Sequence, residues 1–148
     1  MLHPRCVNCH PSGDSPTQRA FERHEPPVVR GENNLGVPGL ECASCHQDRN
    51  ATLARVPGAP GWKLAPREMA WAGRTTHQLC EQLKDPARNG HRGLDGIVEH
   101  ARHDAIVAWG WSPGADRDPV PGTQERFGDL MSAWVQTGAE CPVEEASR

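Results

Sequence analysis

Cys6-Val7-Asn8-Cys9-His10 and Cys42-Ala43-Ser44-Cys45-His46 are the two stretches on which the reading of this chain turns. In each, two thiols and an imidazole stand at i, i+3 and i+4, positions that share one face of a helical turn. That geometry suits two thioether bonds to one porphyrin edge with the imidazole reaching the iron, and Cys-x-x-Cys-His is the attachment sequence of c-type haem. Two such sites predict two haem c groups, with Cys6, Cys9, Cys42 and Cys45 as thioether donors and His10 and His46 as proximal iron ligands. Two CxxC pairs also suit a zinc ribbon, and one alone a redox dithiol. A ribbon needs no His after each pair, and two placements of a residue type at roughly 5% of the chain arise by accident a few times in a thousand. The dithiol expects a βαβ pattern that is missing from this sequence.

The composition asks for the same thing. At 148 residues the chain has the length of one ordinary domain, read here as 1–148. Leu, Ile, Val and Phe make up only roughly 16% of it, and Gly and Pro supply 29 residues. So few aliphatic side chains make a thin core, yet a net charge of −3 and five Trp do not describe a solvated disordered chain. Two macrocycles would provide the apolar surface that the aliphatic residues lack. The expected fold is therefore mainly α and loop-rich, a small dihaem cytochrome c domain whose haems form much of its core. The Trp residues at 62, 71, 109, 111 and 134 are expected to pack it, with indole N–H groups reaching propionates or backbone carbonyls.

Charge and hydropathy exclude other classes. No run of apolar residues is long enough to span a membrane, and 16 basic against 19 acidic residues form no block of one sign, so neither a nucleic-acid partner nor a polybasic anchor is indicated. Of the basic residues all but Lys63 and Lys84 are Arg, the residue suited to carboxylates; Arg30, Arg55, Arg67 and Arg74 are the candidates for propionates. No signal-like apolar run opens the sequence. Haem c attachment belongs outside the bacterial cytosol, so a periplasmic protein with a trimmed leader is expected.

Helical signals lie in the second half. Thr75 or Thr76 can cap a helix running to Lys84 and stopped by Pro86. Leu94, Ile97, Val98 and Ala101 mark a second, ending near His103 or Asp104. A third has Thr123 as cap, an apolar stripe of Phe127, Leu130, Met131, Trp134 and Val135, and Gly138 as its stop. Residues 11–40 read as an irregular wrap, and no window alternates cleanly enough for a strand. Cys80 and Cys141, which the haems do not use, are expected to form a disulfide in an oxidising compartment, with free buried thiols as the alternative.

The sixth iron ligand decides the chemistry. A second strong ligand makes a low-spin iron that passes electrons, whereas an open position admits peroxide or gases. His24, in an extended segment stiffened by Pro26 and Pro27, and His100, three residues past Ile97, are the favoured distal ligands. Met69 is the rival, and His103 stands next in line. His3, His77 and His91 have polar or Gly-rich neighbours and read as exposed. The function expected is an electron carrier and not an enzyme, with a peroxidase-like haem enzyme holding one open iron as the alternative.

The blocks CVNCHP, RHEPPVVRG, GVPGLECASCHQ, RVPGAPGWKLAPREMAW, QLKDPARNG, AWGWSPG and AWVQTGAECP together resemble the small bacterial dihaem cytochromes c known as isoquinoline 1-oxidoreductase subunits. The likeness runs through nearly the whole chain. It implies a periplasmic electron acceptor or relay, encoded near a molybdenum hydroxylase that is its candidate partner, with His24, Met69 and His100 inside characteristic blocks. The family usually carries Gly where this chain has His91. The oxidoreductase label belongs to the neighbouring enzyme, since nothing in these residues suits molybdopterin or a hydroxylation.

Overall fold

Pro and Gly interrupt the chain so often that, among the described residues, no regular element exceeds 13 residues. The structure is a computed structural model and describes residues 1–114 and 116–144; Ala115 and residues 145–148 of the expected domain lie outside it. The helices are α1 (Pro4–Val7), α2 (Thr76–Lys84), α3 (Leu94–His103), α4 (Ala105–Ala108) and α5 (Gln124–Gln136). Single 3-10 turns occur at Cys42–Ser44, Arg67–Met69, Pro86–Arg88 and Trp109–Trp111. Helix and loop thus dominate, as the composition requires.

The helix boundaries follow local chemistry. The Thr75 hydroxyl accepts from the Gln78 N–H while the Gln78 side chain accepts from the Thr75 N–H, a reciprocal cap that starts α2. Thr123 starts α5 with a one-way cap, its hydroxyl accepting from the Arg126 N–H, and Gly138, at φ +100°, ends the chain's helical course. Asp104 stands between α3 and α4, its Oδ1 accepting from the Ile106 N–H.

The wrap expected over residues 11–40 is less irregular than its sequence. Two antiparallel hairpins interrupt it, β1 (Thr17–Gln18) with β2 (Glu22–Arg23) and β3 (Gly36–Val37) with β4 (Leu40–Glu41). Strands of two residues leave no room for alternation, which is why the period-two signal is missing. Gly31, at φ +67°, is indispensable to the second hairpin, because a Cβ there would collide with the Gly36 carbonyl.

Val7, Met69, Trp71, Leu79, Leu83, Ile97, Ala101 and Met131 form the buried core, drawn from both ends of the chain. Helices α3 and α5 make the most extensive contact between elements, crossing where Gly128 lies against Arg102. That crossing corrects one expectation. The buried line of α5 runs through Gly128 and Met131, and Leu130, about 100° round the helix from Met131, is 54% exposed.

The tail after α5 is strapped onto α2. Cys80 and Cys141 are disulfide-bonded, the His77 Nδ1–H donates to the Pro142 carbonyl, and the Trp134 indole donates to the Glu140 carbonyl. His77 is thereby half-buried, as is His3, whose Nδ1 accepts from the Arg5 N–H at the start of α1. His91 is exposed as expected.

Two stability predictions result. The bond closes a loop spanning 61 positions, so Cys80→Ser/Cys141→Ser should lower unfolding free energy by about 4 kcal/mol, read by denaturant unfolding. Gly128→Ala should cost about 1–3 kcal/mol, because the added methyl must push α3 and α5 apart; a lowered Tm checks it.

Candidate haem sites

Each motif coils into one turn, as its spacing demands. At the first, the Cys9 N–H donates to the Cys6 carbonyl and the His10 N–H to that of Val7; at the second, both Cys45 and His46 donate to the Cys42 carbonyl. The four cysteines are unpaired. A zinc ribbon requires them to meet at one point; among the described residues no group of three or more His, Cys, Asp or Glu gathers to hold an ion.

The segment 57–71 grips both motif imidazoles in the same manner. His10 Nδ1 lies 2.9 Å from the Met69 carbonyl, and its ring stacks on Trp71 with centroids 3.5 Å apart. His46 Nδ1 lies 2.7 Å from the Pro57 carbonyl, and its ring stacks on Trp62 at 4.6 Å. A carbonyl can only accept, so each Nδ1 carries the proton and each Nε2 keeps its lone pair. Burial pushes the His10 pKa down to about 3 and lowers that of His46, which keeps both imidazoles in the neutral form that binds a metal. Burial raises the thiols of Cys6, Cys9 and Cys42, that of Cys9 to about 12.

The favoured distal histidines are prepared in the same tautomer. His24 Nδ1 lies 2.8 Å from the Pro26 carbonyl, and its ring centre is 6.0 Å from that of His46 with the planes at 61°. His100 Nδ1 lies 2.9 Å from Asp104 Oδ2, and His100 shares with Cys6, Cys9 and His10 the lining of a cavity of about 340 Å³. Met69 lines that cavity too. Its carbonyl, however, backs the His10 imidazole, and its sulfur lies against Gly90. His103 is exposed, 3.8 Å from Glu99.

The residues suit a flat apolar group. Met69, Trp71, Leu83, Ile97, Ala101 and Met131 belong to both the core and the wall of the cavity. The Trp71 indole N–H is buried and meets no acceptor in the described protein. Around the second motif the apolar surface lies outward: Leu35 and Leu40, on the hairpin leading into Cys42, are 46% and 44% exposed. The donor set, the tautomers and the apolar surfaces therefore fit haem at both motifs.

The expected propionate arginines are occupied otherwise. Buried Arg30 donates to Asn34 Oδ1 and to the Ala65 and Gly13 carbonyls, and faces Asp14 at 3.4 Å. Arg67 pairs with Asp14, Arg55 with Asp116, and Arg74 leans on the Ala70 carbonyl. The cations that line the cavity are Arg5, Lys63 and Arg92. Sequence reasoning also missed Asn50, whose Oδ1 accepts from the Gly58 N–H and the Trp109 indole while its Nδ2 donates to the Ser112 carbonyl. Trp109 meets Trp62 edge-on at 5.0 Å, so Asn50 braces the stack under His46. An Asn four residues past a motif carries no sequence signal of that role.

No family model matches the chain, and no match is found among curated proteins or solved structures.

Asn50→Ala leaves two N–H donors without their acceptor and should cost about 1–3 kcal/mol. Unfolding followed by tryptophan fluorescence checks it, and Asn50→Asp, which retains the acceptor but sets an oxygen against the Ser112 carbonyl in place of the Nδ2 donor, should recover only part of the loss.

Proposed function

We propose that this chain is a periplasmic electron carrier with two covalently attached c-type haems, held by Cys6, Cys9 and His10 and by Cys42, Cys45 and His46. One observation carries the reading: each motif imidazole is locked with Nε2 free, and a second imidazole locked in the same tautomer stands 6.0 Å from His46, or beside the same cavity as His10. The haem iron, when bound, supplies a one-electron couple.

The chain's own residues do the rest. Met69 and Pro57 carbonyls hold the proximal rings, and Trp71 and Trp62 stop them tilting. His100 and His24 are the proposed distal ligands, and two histidines on each iron leave no position for peroxide, which separates a carrier from a peroxidase-like enzyme. Met69, Trp71, Leu83, Ile97, Ala101 and Met131 give the first site an apolar wall. Backbone hydrogen bonds fix the spacing of the sites: Ala65 donates to Cys9, Leu64 to Asn34 and Cys42 to Leu35. Neighbouring sites held rigidly suit relay from a dehydrogenase, of which a molybdenum hydroxylase is the partner class proposed, to a later acceptor. Haem attachment and the Cys80–Cys141 bond both favour the periplasm. Among the described residues no helix is long and apolar enough to cross a membrane.

The test is spectroscopic. Intact mass should show two added haems, and the reduced protein should ignore carbon monoxide. His24→Ala and His100→Ala should each produce one high-spin haem, and Met69→Ala should produce none. A carbon monoxide complex in the parent protein supports the enzyme reading, and a colourless protein expressed with haem-attachment machinery ends both.

A further inference from the structure

The four imidazoles at the two sites are alike in tautomer and unlike in one partner. His10, His46 and His24 each give the Nδ1–H to a backbone carbonyl, of Met69, Pro57 and Pro26. His100 alone gives it to a carboxylate, Asp104 Oδ2 at 2.9 Å. A carbonyl orients the ring. A carboxylate also draws on the shared proton, so that Nε2 becomes a stronger donor and the oxidised metal is favoured.

We infer that Asp104 is a positioning residue that lowers the reduction potential of one haem only, the one at His10 and His100. The inference rests on the reading proposed above, that His100 is an iron ligand. The surroundings give Asp104 something to oppose. Lys63 and Arg92 line the same cavity, and their positive charges act on His100 through space. Burial in an apolar cavity and positive charge both favour the reduced iron. Among the described groups that bear on His100, Asp104 is the acidic one and is in direct hydrogen-bond contact with it.

A purely structural account is available. Asp104 caps α4 through its other oxygen, Oδ1, 3.0 Å from the Ile106 N–H. Asn caps as well as Asp, but it has one acceptor oxygen where Asp104 uses two, so with the oxygen kept on the Ile106 N–H it turns an NH2 towards His100. Asp104→Asn therefore keeps the cap while removing both the charge and the acceptor for the His100 Nδ1–H, which separates the helix cap from the effect on His100.

The experiment is a redox titration of the dihaem protein and its Asp104→Asn variant, with visible spectra and thermal melts. The expected result is one midpoint potential raised, by about tenfold in the equilibrium constant for reduction, with the other unchanged, both haems low-spin and the Tm close to the parent's. Asp104→Ser, another good cap, should shift the same haem if Asp104→Asn folds poorly. Two unmoved potentials on low-spin haems overturn the inference and leave the carrier reading intact, and an equal rise of both overturns it as an unspecific charge effect. If His100→Ala leaves both haems low-spin, His100 is no ligand, and it is the proposed ligand set that fails.

Discussion

Both motif imidazoles are held by one irregular segment, and the arrangement of the molecule depends on that grip. From Pro57 to Trp71 the chain gives a carbonyl and a stacked indole to His46, an N–H to Cys9, and a carbonyl and a stacked indole to His10. Regular secondary structure could not do this. A helix or strand spends its backbone groups internally, whereas an extended segment rich in Pro and Gly has carbonyls to offer. The composition that weakens the core is the same composition that builds the clamp.

The segment needs an anchor of its own, and polar side chains supply it. Gln82, almost fully buried on α2, donates to the Glu68 carbonyl and so pins the turn that presents the Met69 carbonyl to His10. Buried Asn89 donates to the Leu83 and Arg92 carbonyls and accepts from the Arg92 N–H, closing the loop from α2 to α3. Arg30 ties the wrap to Ala65 on the other side. Buried groups of this kind are stable only when their hydrogen bonds are made, so they specify a single arrangement where a few aliphatic contacts would permit several.

The two sites differ in their surroundings. The first lies in a cavity whose wall is the hydrophobic core itself, while the second is flanked by exposed Leu35 and Leu40. In the proposed dihaem carrier, burial, neighbouring charge and the partner of the second imidazole are the quantities that would set the two sites apart.

Much was legible in the sequence where the cause is local. The spacing of Cys and His fixes a turn, Thr75 and Thr123 cap the helices they precede, and Gly138 stops α5, because each depends on residues within one or two turns. The leftover Cys80 and Cys141 were paired by arithmetic. Tertiary structure alone decided what depends on contacts between distant positions. It put His24 beside His46 and both His100 and Met69 on the cavity of His10, set the Met69 carbonyl behind the His10 imidazole, paired Arg30, Arg55 and Arg67 with carboxylates of the protein, and made Asn50 a brace. It also turned Leu130 outward, through the close approach of Gly128 to Arg102. None of these follows a period of 2 or 3.6, since irregular chain carries its neighbours by packing and hydrogen bonding across long separations, and such pairings leave no pattern along the sequence.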